Sequence, residues 1–457
     1  MRPSCSRSNR NNGFPRPTRS STRSAPFPPD PQCEAVRSIR RRPVPTTPAD
    51  TDNTSVSKNS PPTSRLSRRE LIAGTLGAVA AAPLAAQQQA VETTRRPGRG
   101  PNELDQRSPF VTPRRDPSPT SSRTPLQDLQ GTITPADLHF ERHHGGVPEI
   151  DPDRYELLVH GMVDRPTVFT LADLKRFPAV SRICFLECSG NLRRGSAETL
   201  PQMVCGLTSQ TEWTGVMLST VLNEVGAHRG ATWFLAEGQD AAVMTRSVPI
   251  DKAYDDAMIV YAQNGDALMP GNGYPARLLL PGWEGNASVK WLRRIELSDR
   301  SFMTREETSR YSEPVGEEGQ IRQFSFVMDA RSIITEPAYP TTLEPGWHEI
   351  RGLAWSGRGL ITRVEVSVDG GANWDGAELQ APVLPKAHAR FRHPWHWEGG
   401  TAEIMSRATD ETGYVQPSWE ALRTARGPRT RYHQNPVTSW TVGDDGRVLF
   451  GVERLRS

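Results

Sequence analysis

The chain has 457 residues and a formal net charge of +3, which is long enough for two or three domains and too weakly charged for a nucleic-acid binder. Of its 55 basic residues only five are lysine (Lys58, Lys175, Lys252, Lys290 and Lys386), so a lysine inside a motif is hard to dismiss as surface filler. Five cysteines in a chain of this size do not make a disulfide framework, and the absence of a Cys-x-x-Cys-His motif excludes c-type haem attachment by that route.

The first 125 residues are rich in Pro, Ser, Thr and Arg and contain neither Trp nor Tyr. Such a segment cannot bury enough apolar area to offset its chain entropy. Within it, Ser67-Arg68-Arg69-Glu70-Leu71-Ile72 is followed by a small, uncharged apolar run from Ala73 to Ala86. This pattern reads as a twin-arginine export signal with an alanine-rich cleavage zone; a disordered basic tail is the competing reading. The run is too short and weak for a membrane span. Residues 1–90 are therefore expected to be an extension plus signal, and 91–125 a disordered linker. The twin-arginine route carries already folded, cofactor-loaded proteins, so a periplasmic destination is expected.

Residues 126–318 read as one α+β domain. Tyr155–His160 looks like a strand, and Thr170 caps a short helix over Leu171–Arg176 with Asp173 in its first turn. Ile183-Cys184-Phe185-Leu186 is a short buried strand. A second helix over Leu218–Val225 stops at Gly226, and Thr232–Ala236 and Ala276–Leu280 read as further buried strands. From 319 to 425 the pattern changes to strands alone. Leu360–Val368 alternates with period two up to the turn Asp369-Gly370-Gly371, and His348–Trp355 and Ala402–Ala408 are further strands. This is the signature of an immunoglobulin-like β-sandwich. Residues 426–457 read as a mostly irregular C-terminal tail.

Chemistry concentrates in a few loops. Glu187-Cys188-Ser189-Gly190-Asn191-Leu192-Arg193-Arg194 puts a thiol at a strand end, then a flexible turn, then paired guanidinium groups. A thiolate there can hold a soft or high-valent metal, and arginines can hold a small oxyanion by bidentate hydrogen bonds. An inert buried thiol is the alternative. Phe140-Glu141-Arg142-His143-His144 on a Gly/Pro loop offers an anion cradle; a solvated loop or a zinc site from His139, His143 and His144 are the alternatives. Asp240 follows a buried strand and can bind amino or ring N–H groups. Two Gly-rich loops, Met269–Arg277 and Pro281–Trp291, flank a buried strand and can present backbone N–H groups to a phosphate, with Arg277 and Lys290 supplying charge. Tyr311 can donate to an oxyanion or relay a proton, although burial alone would also explain it.

These segments, as a set, resemble the sulfite oxidase family of molybdenum-pterin enzymes over roughly residues 126–425. The resemblance implies a molybdopterin-binding domain of sulfite oxidase fold followed by an immunoglobulin-like dimerisation domain. It implies Cys188 as the protein ligand to molybdenum, and Arg142, Arg193 and Tyr311 as substrate-facing residues. Phe140, Arg142, His144, Asp240, Asn272, Arg277, Ser288, Val289 and Lys290 match its cofactor-binding positions. Three features depart from the animal and plant enzymes: Asn272 stands where a histidine is usual, Glu187 where an uncharged residue is usual, and the segment after Arg194 is shorter. The runs Thr208–Gly215, Pro281–Asn286 and Glu307–Tyr311 are similar to a bacterial branch, the molybdenum subunit of sulfane dehydrogenase.

The chemistry so implied is oxygen-atom transfer to sulfane sulfur held on a carrier protein, with electrons passing to a separate c-type cytochrome. The partners so implied are that cytochrome, the sulfur carrier, and a second copy of the chain as a homodimer core. Glu187 beside the pocket is expected to help exclude free dianions. A direct sulfite:cytochrome c oxidoreductase is the alternative within the family; a non-catalytic exported binding protein is the alternative outside it.

Overall fold

A computed structural model describes residues 100–101, 103–192, 195–315 and 320–451. The twin-arginine segment and Arg193 lie outside the described residues. Gln106–Ser457 form one compact unit.

Regular structure is present before residue 126. Strands β1 (Asp116–Ser118) and β2 (Ser121–Arg123) form a hairpin, and β3 (Glu141–Arg142) adds to it with Ser121 opposite Arg142. The expected disordered linker over 91–125 is corrected for 116–123, which form this hairpin, while 91–99 and 102 lie outside the described residues. Polar contacts with the following domain hold this segment in place of an apolar core of its own. The buried Thr124 hydroxyl lies 2.7 Å from that of Ser209, and the Gln202 amide donates to the carbonyls of Arg114 and Arg123 at 3.0 and 2.8 Å.

The first domain then runs through β4 (Glu156–Gly161), β5 (Thr167–Thr170), α1 (Leu171–Leu174), β6 (Val180–Glu187), α2 (Pro201–Cys205), β7 (Thr208–Met217) and α3 (Leu218–Val225). It continues through β8 (Trp233–Gly238), β9 (Thr245–Pro249), α4 (Ile250–Asp255), β10 (Met258–Gln263), β11 (Asp266–Ala267), β12 (Arg277–Leu279) and β13 (Leu292–Ser298). Local signals set the helix ends as anticipated. Thr170 and Asp173 form a reciprocal capping box on α1, and Gly226 closes α3 in the left-handed conformation at φ 71°. Two sheets result, one in the order β5-β4-β13-β8-β9, the other in the order β11-β10-β7-β6 with β12 pairing β10. Leu157, Val159, Phe234, Leu278, Leu280 and Ile295 belong to the apolar layer of this domain.

The second domain is a sandwich. After the short pair β14 (Glu313–Pro314) and β15 (Ile321–Arg322) come β16 (Arg331–Glu336), β17 (Gly346–Trp355), β18 (Ile361–Ser367), β19 (Asp375–Gly376), β20 (Glu378–Gln380), β21 (Ala389–Trp397) and β22 (Ala402–Asp410). Helix α5 (Trp419–Arg426), β23 (Ser439–Val442) and β24 (Val448–Phe450) follow. One sheet has the order β16-β17-β21-β20, the other β19-β18-β22-β23-β24. The expected irregular tail from 426 is therefore corrected as well: β23 and β24 complete the second sheet, with Trp440 and Phe450 fully buried in its core. That core is continuous with the first domain, because Phe185, Val204 and Cys205 pack into the same cluster as Trp355 and Phe391. Among the described residues no helix is long and apolar enough to cross a membrane.

Candidate active site

Strand ends and the loops behind them converge on one cleft of about 670 Å³, counted with its open mouth. Its lining includes Phe140, Arg142 and His144 from the β3 region, Cys188 just past β6 and Asp240 just past β8. Asn272 and Arg277 enter from the loop that leads into β12, and Ser288, Val289 and Lys290 from the loop that leaves it. Tyr311 closes the list of expected residues, placed by a single π-helical turn over Glu306–Arg310. Every expected site residue within the described chain thus faces the same space. His139, His143, Met244, Asn286 and Trp291 also line it.

The cleft wall carries buried positive charge. The Lys290 ammonium donates to the carbonyls of Arg142 and Gly271 at 3.1 and 2.8 Å and lies 2.9 Å from His143 Nδ1. Arg277 donates to the carbonyls of Asn272 and Ser288 at 2.9 and 2.7 Å, with its guanidinium 5.3 Å from the Trp213 ring centre. The four acceptors among these that belong to the backbone are neutral carbonyls. Among the described residues neither cation forms an ion pair. Burial pushes the Lys290 ammonium well below its ordinary value and Arg277 adds to that, while the carboxylates of Glu141 and Asp240 pull the other way without pairing with it. Burial likewise lowers Arg277 to about 9. Cations arranged like this are costly until an anion arrives.

Cys188 sits among these groups with its side chain open to the cleft, while Cys184 and Cys205 are buried outright. Burial raises its thiol, with the Gly190 N–H and Arg142 pulling the other way. His144 Nε2 lies 3.1 Å from the Tyr311 hydroxyl, and burial lowers the imidazole, which keeps it neutral. His139 is held neutral by burial at about 3, and its Nε2 has no protein partner. Asn286 Oδ1 is likewise buried and unpartnered. The zinc alternative finds no support: among the described residues no three His, Cys, Asp or Glu side chains converge as a ligand set.

A second set of charged residues lies behind the wall, and sequence reasoning did not find it. Arg246 pairs with Glu284 at 2.9 Å and Glu307 at 2.8 Å, and its guanidinium sits 4.9 Å from the Tyr311 ring centre. Glu284 also meets His433 Nε2 at 3.2 Å and accepts from Asn286 at 2.9 Å. Burial alone would raise the Glu284 carboxyl, but Arg246 and His433 hold it at about 2. Tyr432, beside His433, packs 5.3 Å from Tyr311. The signals available in the sequence were a lone arginine inside the β9 strand pattern and an Arg-Tyr-His run in the supposed tail.

Glu187 corrects an expectation. Its side chain is fully buried and turned away from the cleft, toward the sandwich. It pairs with Arg331 at 2.8 Å and accepts from the Trp355 indole at 2.7 Å. It therefore takes no part in excluding dianions.

Comparison with known proteins decides the family. Residues 144–306 match the oxidoreductase molybdopterin binding domain, and residues 322–439 the Mo-co oxidoreductase dimerisation domain. The chain is 31% identical to sulfite oxidase from Gallus gallus over 362 residues, covering 70% of this chain and 78% of that one. The chain belongs to the sulfite oxidase family of molybdopterin oxidoreductases. It is also similar to the crystal structure of the sulfane dehydrogenase SoxCD from Paracoccus pantotrophus, with a TM-score of 0.71 and 43% identity, covering 76% of this chain and 89% of that one. An NADH nitrate reductase from Ulva prolifera is 30% identical over 344 residues, covering 66% of this chain and only 40% of that protein's length.

The cleft fits the group that this family binds. Two cations that form no ion pair among the described residues suit a phosphate-bearing ligand, an unpartnered imidazole nitrogen and amide oxygen suit its polar ring edges, and one cleft-facing thiol suits a soft metal.

Proposed function

We propose that this protein is a molybdenum-dependent sulfur oxidoreductase that oxidises sulfane sulfur carried on a partner protein and passes the electrons to a c-type cytochrome. The observation that carries the reading is a pair of cations that form no ion pair among the described residues, the buried Arg277 and the half-buried Lys290, on the same cleft as the accessible thiol of Cys188. When bound, the molybdenum–pterin group supplies oxygen-atom transfer and a two-electron store. Cys188 is its protein ligand; Phe140, His144, Asp240, Asn272, Arg277, Ser288, Val289 and Lys290 hold the organic part. Arg142, with Arg193, orients the anionic end of the substrate, each charge-assisted contact contributing about 1.5–3 kcal/mol. Tyr311 donates or accepts a proton at its hydroxyl next to neutral His144.

The sulfane reading is favoured over free sulfite by the 43% identity to sulfane dehydrogenase against 31% to sulfite oxidase. The sandwich is the surface for a homodimer core. Export through the twin-arginine route into the periplasm follows from Ser67–Ile72 and from the need to load the cofactor before transport. Metal analysis and turnover of the exported protein, wild type beside Cys188→Ser, test the core of the reading. Stoichiometric molybdenum in the wild type with turnover lost in the variant supports it; no molybdenum from a cofactor-competent host overturns it. Rates with free sulfite against protein-bound sulfane then separate the two substrates.

A further inference from the structure

We infer that Glu187 is a positioning residue through which the sandwich domain holds the Cys188 turn and so sets the geometry of the thiolate. The inference rests on the reading of Cys188 as a metal ligand.

The turn Cys188–Asn191 is pinned at both ends. At its start, the Cys188 N–H donates to the Leu207 carbonyl at 3.0 Å and Gly285 N–H donates to the Glu187 carbonyl at 2.6 Å. A Cβ at position 285 would come within 2.8 Å of that carbonyl, so only glycine permits the approach. At its end, Asn191 N–H donates to the Cys188 carbonyl at 2.9 Å, and the Asn191 side chain accepts from Leu207 N–H at 2.9 Å. The Glu187 carboxylate links the two ends, because Asn191 Nδ2 donates to it at 2.9 Å.

The same carboxylate carries the sandwich's grip on the turn. Arg331, the first residue of β16, pairs with Glu187 Oε1 at 2.8 Å and also donates to the Asn191 carbonyl. Trp355, the last residue of β17, donates to Glu187 Oε2 at 2.7 Å. Two adjacent strands of the second domain thus meet both ends of a four-residue turn in the first. Packing alone would be met by an apolar side chain at 187. A fully buried carboxylate with three donors fixes direction as well as volume, and a catalytic ligand needs its position held to within about 0.5 Å. The arrangement also explains the asparagine of the Cys-Ser-Gly-Asn motif as the strut that returns to Glu187.

The test compares wild type with Glu187→Gln and Trp355→Phe, each purified with cofactor, by molybdenum content, by the thiolate-to-metal charge-transfer absorption and by melting temperature. Ile404→Val, a truncation in the sandwich core on the sheet that does not contain β16 and β17, is the control for lost stability alone. The expected result is a displaced charge-transfer band in both tether variants with molybdenum retained, and an unmoved band in the control at comparable loss of melting temperature. A wild-type band in Trp355→Phe and Glu187→Gln, whatever their melting temperatures, overturns the inference. Should Glu187→Gln fail to load or fold, Trp355→Phe decides alone, since it keeps an aromatic side chain at the position and removes the indole donor. Absence of molybdenum from the wild type is a different outcome, for it removes the functional reading itself.

Discussion

The cleft wall and the layer behind it both bury arginine or lysine, and they treat the charge in opposite ways. Behind the wall, Arg246 meets Glu284 and Glu307, and Arg331 meets Glu187, at 2.8–2.9 Å. On the wall, Lys290 and Arg277 meet carbonyl groups and the His143 ring, and neither forms an ion pair among the described residues. A protein that has carboxylates available a few residues away and withholds them from two buried cations has kept those cations for something else. Burial without a counterion, rather than burial or charge by itself, is what separates a ligand site from a structural ion pair.

The sharpest break in that comparison comes from removing a paired cation. Arg331→Met leaves the Glu187 carboxylate buried without its counterion and should lower unfolding free energy by about 3–5 kcal/mol; Arg246→Met should do the same through Glu284 and Glu307. Urea unfolding of the cofactor-free chain measures both. A loss below 1 kcal/mol would show that the pairs are not what holds the two domains and the site together.

The next effect is a pH dependence. Glu284 is depressed from its ordinary value to about 2, so the unfolded chain binds its proton first as pH falls. The stability it contributes is complete above about pH 4.5, is lost as pH falls toward 2, and amounts to about 3 kcal/mol. Wild type should destabilise more steeply across that window than Glu284→Gln, which keeps only the contribution of the other depressed carboxyls such as Glu141. Parallel curves would mean that the carboxyl is unperturbed and that Arg246 is not neutralised by it.

Much of the wall was legible in the sequence, and almost none of the layer behind it. Cys188, Arg277 and Lys290 sit in short motifs of glycine, proline and charge at strand ends, where local composition announces a loop that binds. Lys290 stood out further because lysine is scarce in this chain. Arg246, Glu284, Glu307, His433 and Arg331 pair only through contacts between distant parts of the chain, and no local pattern encodes such a partner. Glu187 was misread for a related reason. Alternation along a strand separates two faces, but β6 is buried on both at its C-terminal end, so the pattern does not say which face looks into the cleft. The hairpin β1–β2 escaped because polar contacts with the rest of the domain hold it, and β23 and β24 because four and three residues are too short to show a period, although Trp440, Val442, Val448 and Phe450 are all buried in the core.

The wall itself should behave in the opposite sense. Lys290→Met removes a half-buried ammonium that forms no ion pair among the described residues, so the cofactor-free chain should become more stable by about 1–3 kcal/mol while losing retention of the cofactor. Retention in the wild type should also depend on pH. An anion restores the depressed ammonium, so binding takes up a proton; retention is strongest at low pH and weakens as pH rises past the depressed value. Molybdenum retained on a desalting column across pH measures this. A destabilised Lys290→Met chain would instead place that lysine among the structural cations.

The smallest effect isolates one hydroxyl. Tyr311→Phe keeps the ring beneath Arg246, 4.9 Å from its guanidinium, and removes only the group 3.1 Å from His144 Nε2. Stability should change by less than about 1 kcal/mol, and molybdenum content should not change. Turnover should fall by about 5–10-fold, the worth of one hydrogen bond of about 1–1.5 kcal/mol made at the reacting group. A fall in molybdenum content would move Tyr311 to the cofactor's side of the cleft. Unchanged turnover would leave Arg246, with its two carboxylates, supporting an aromatic ring whose contribution is packing alone.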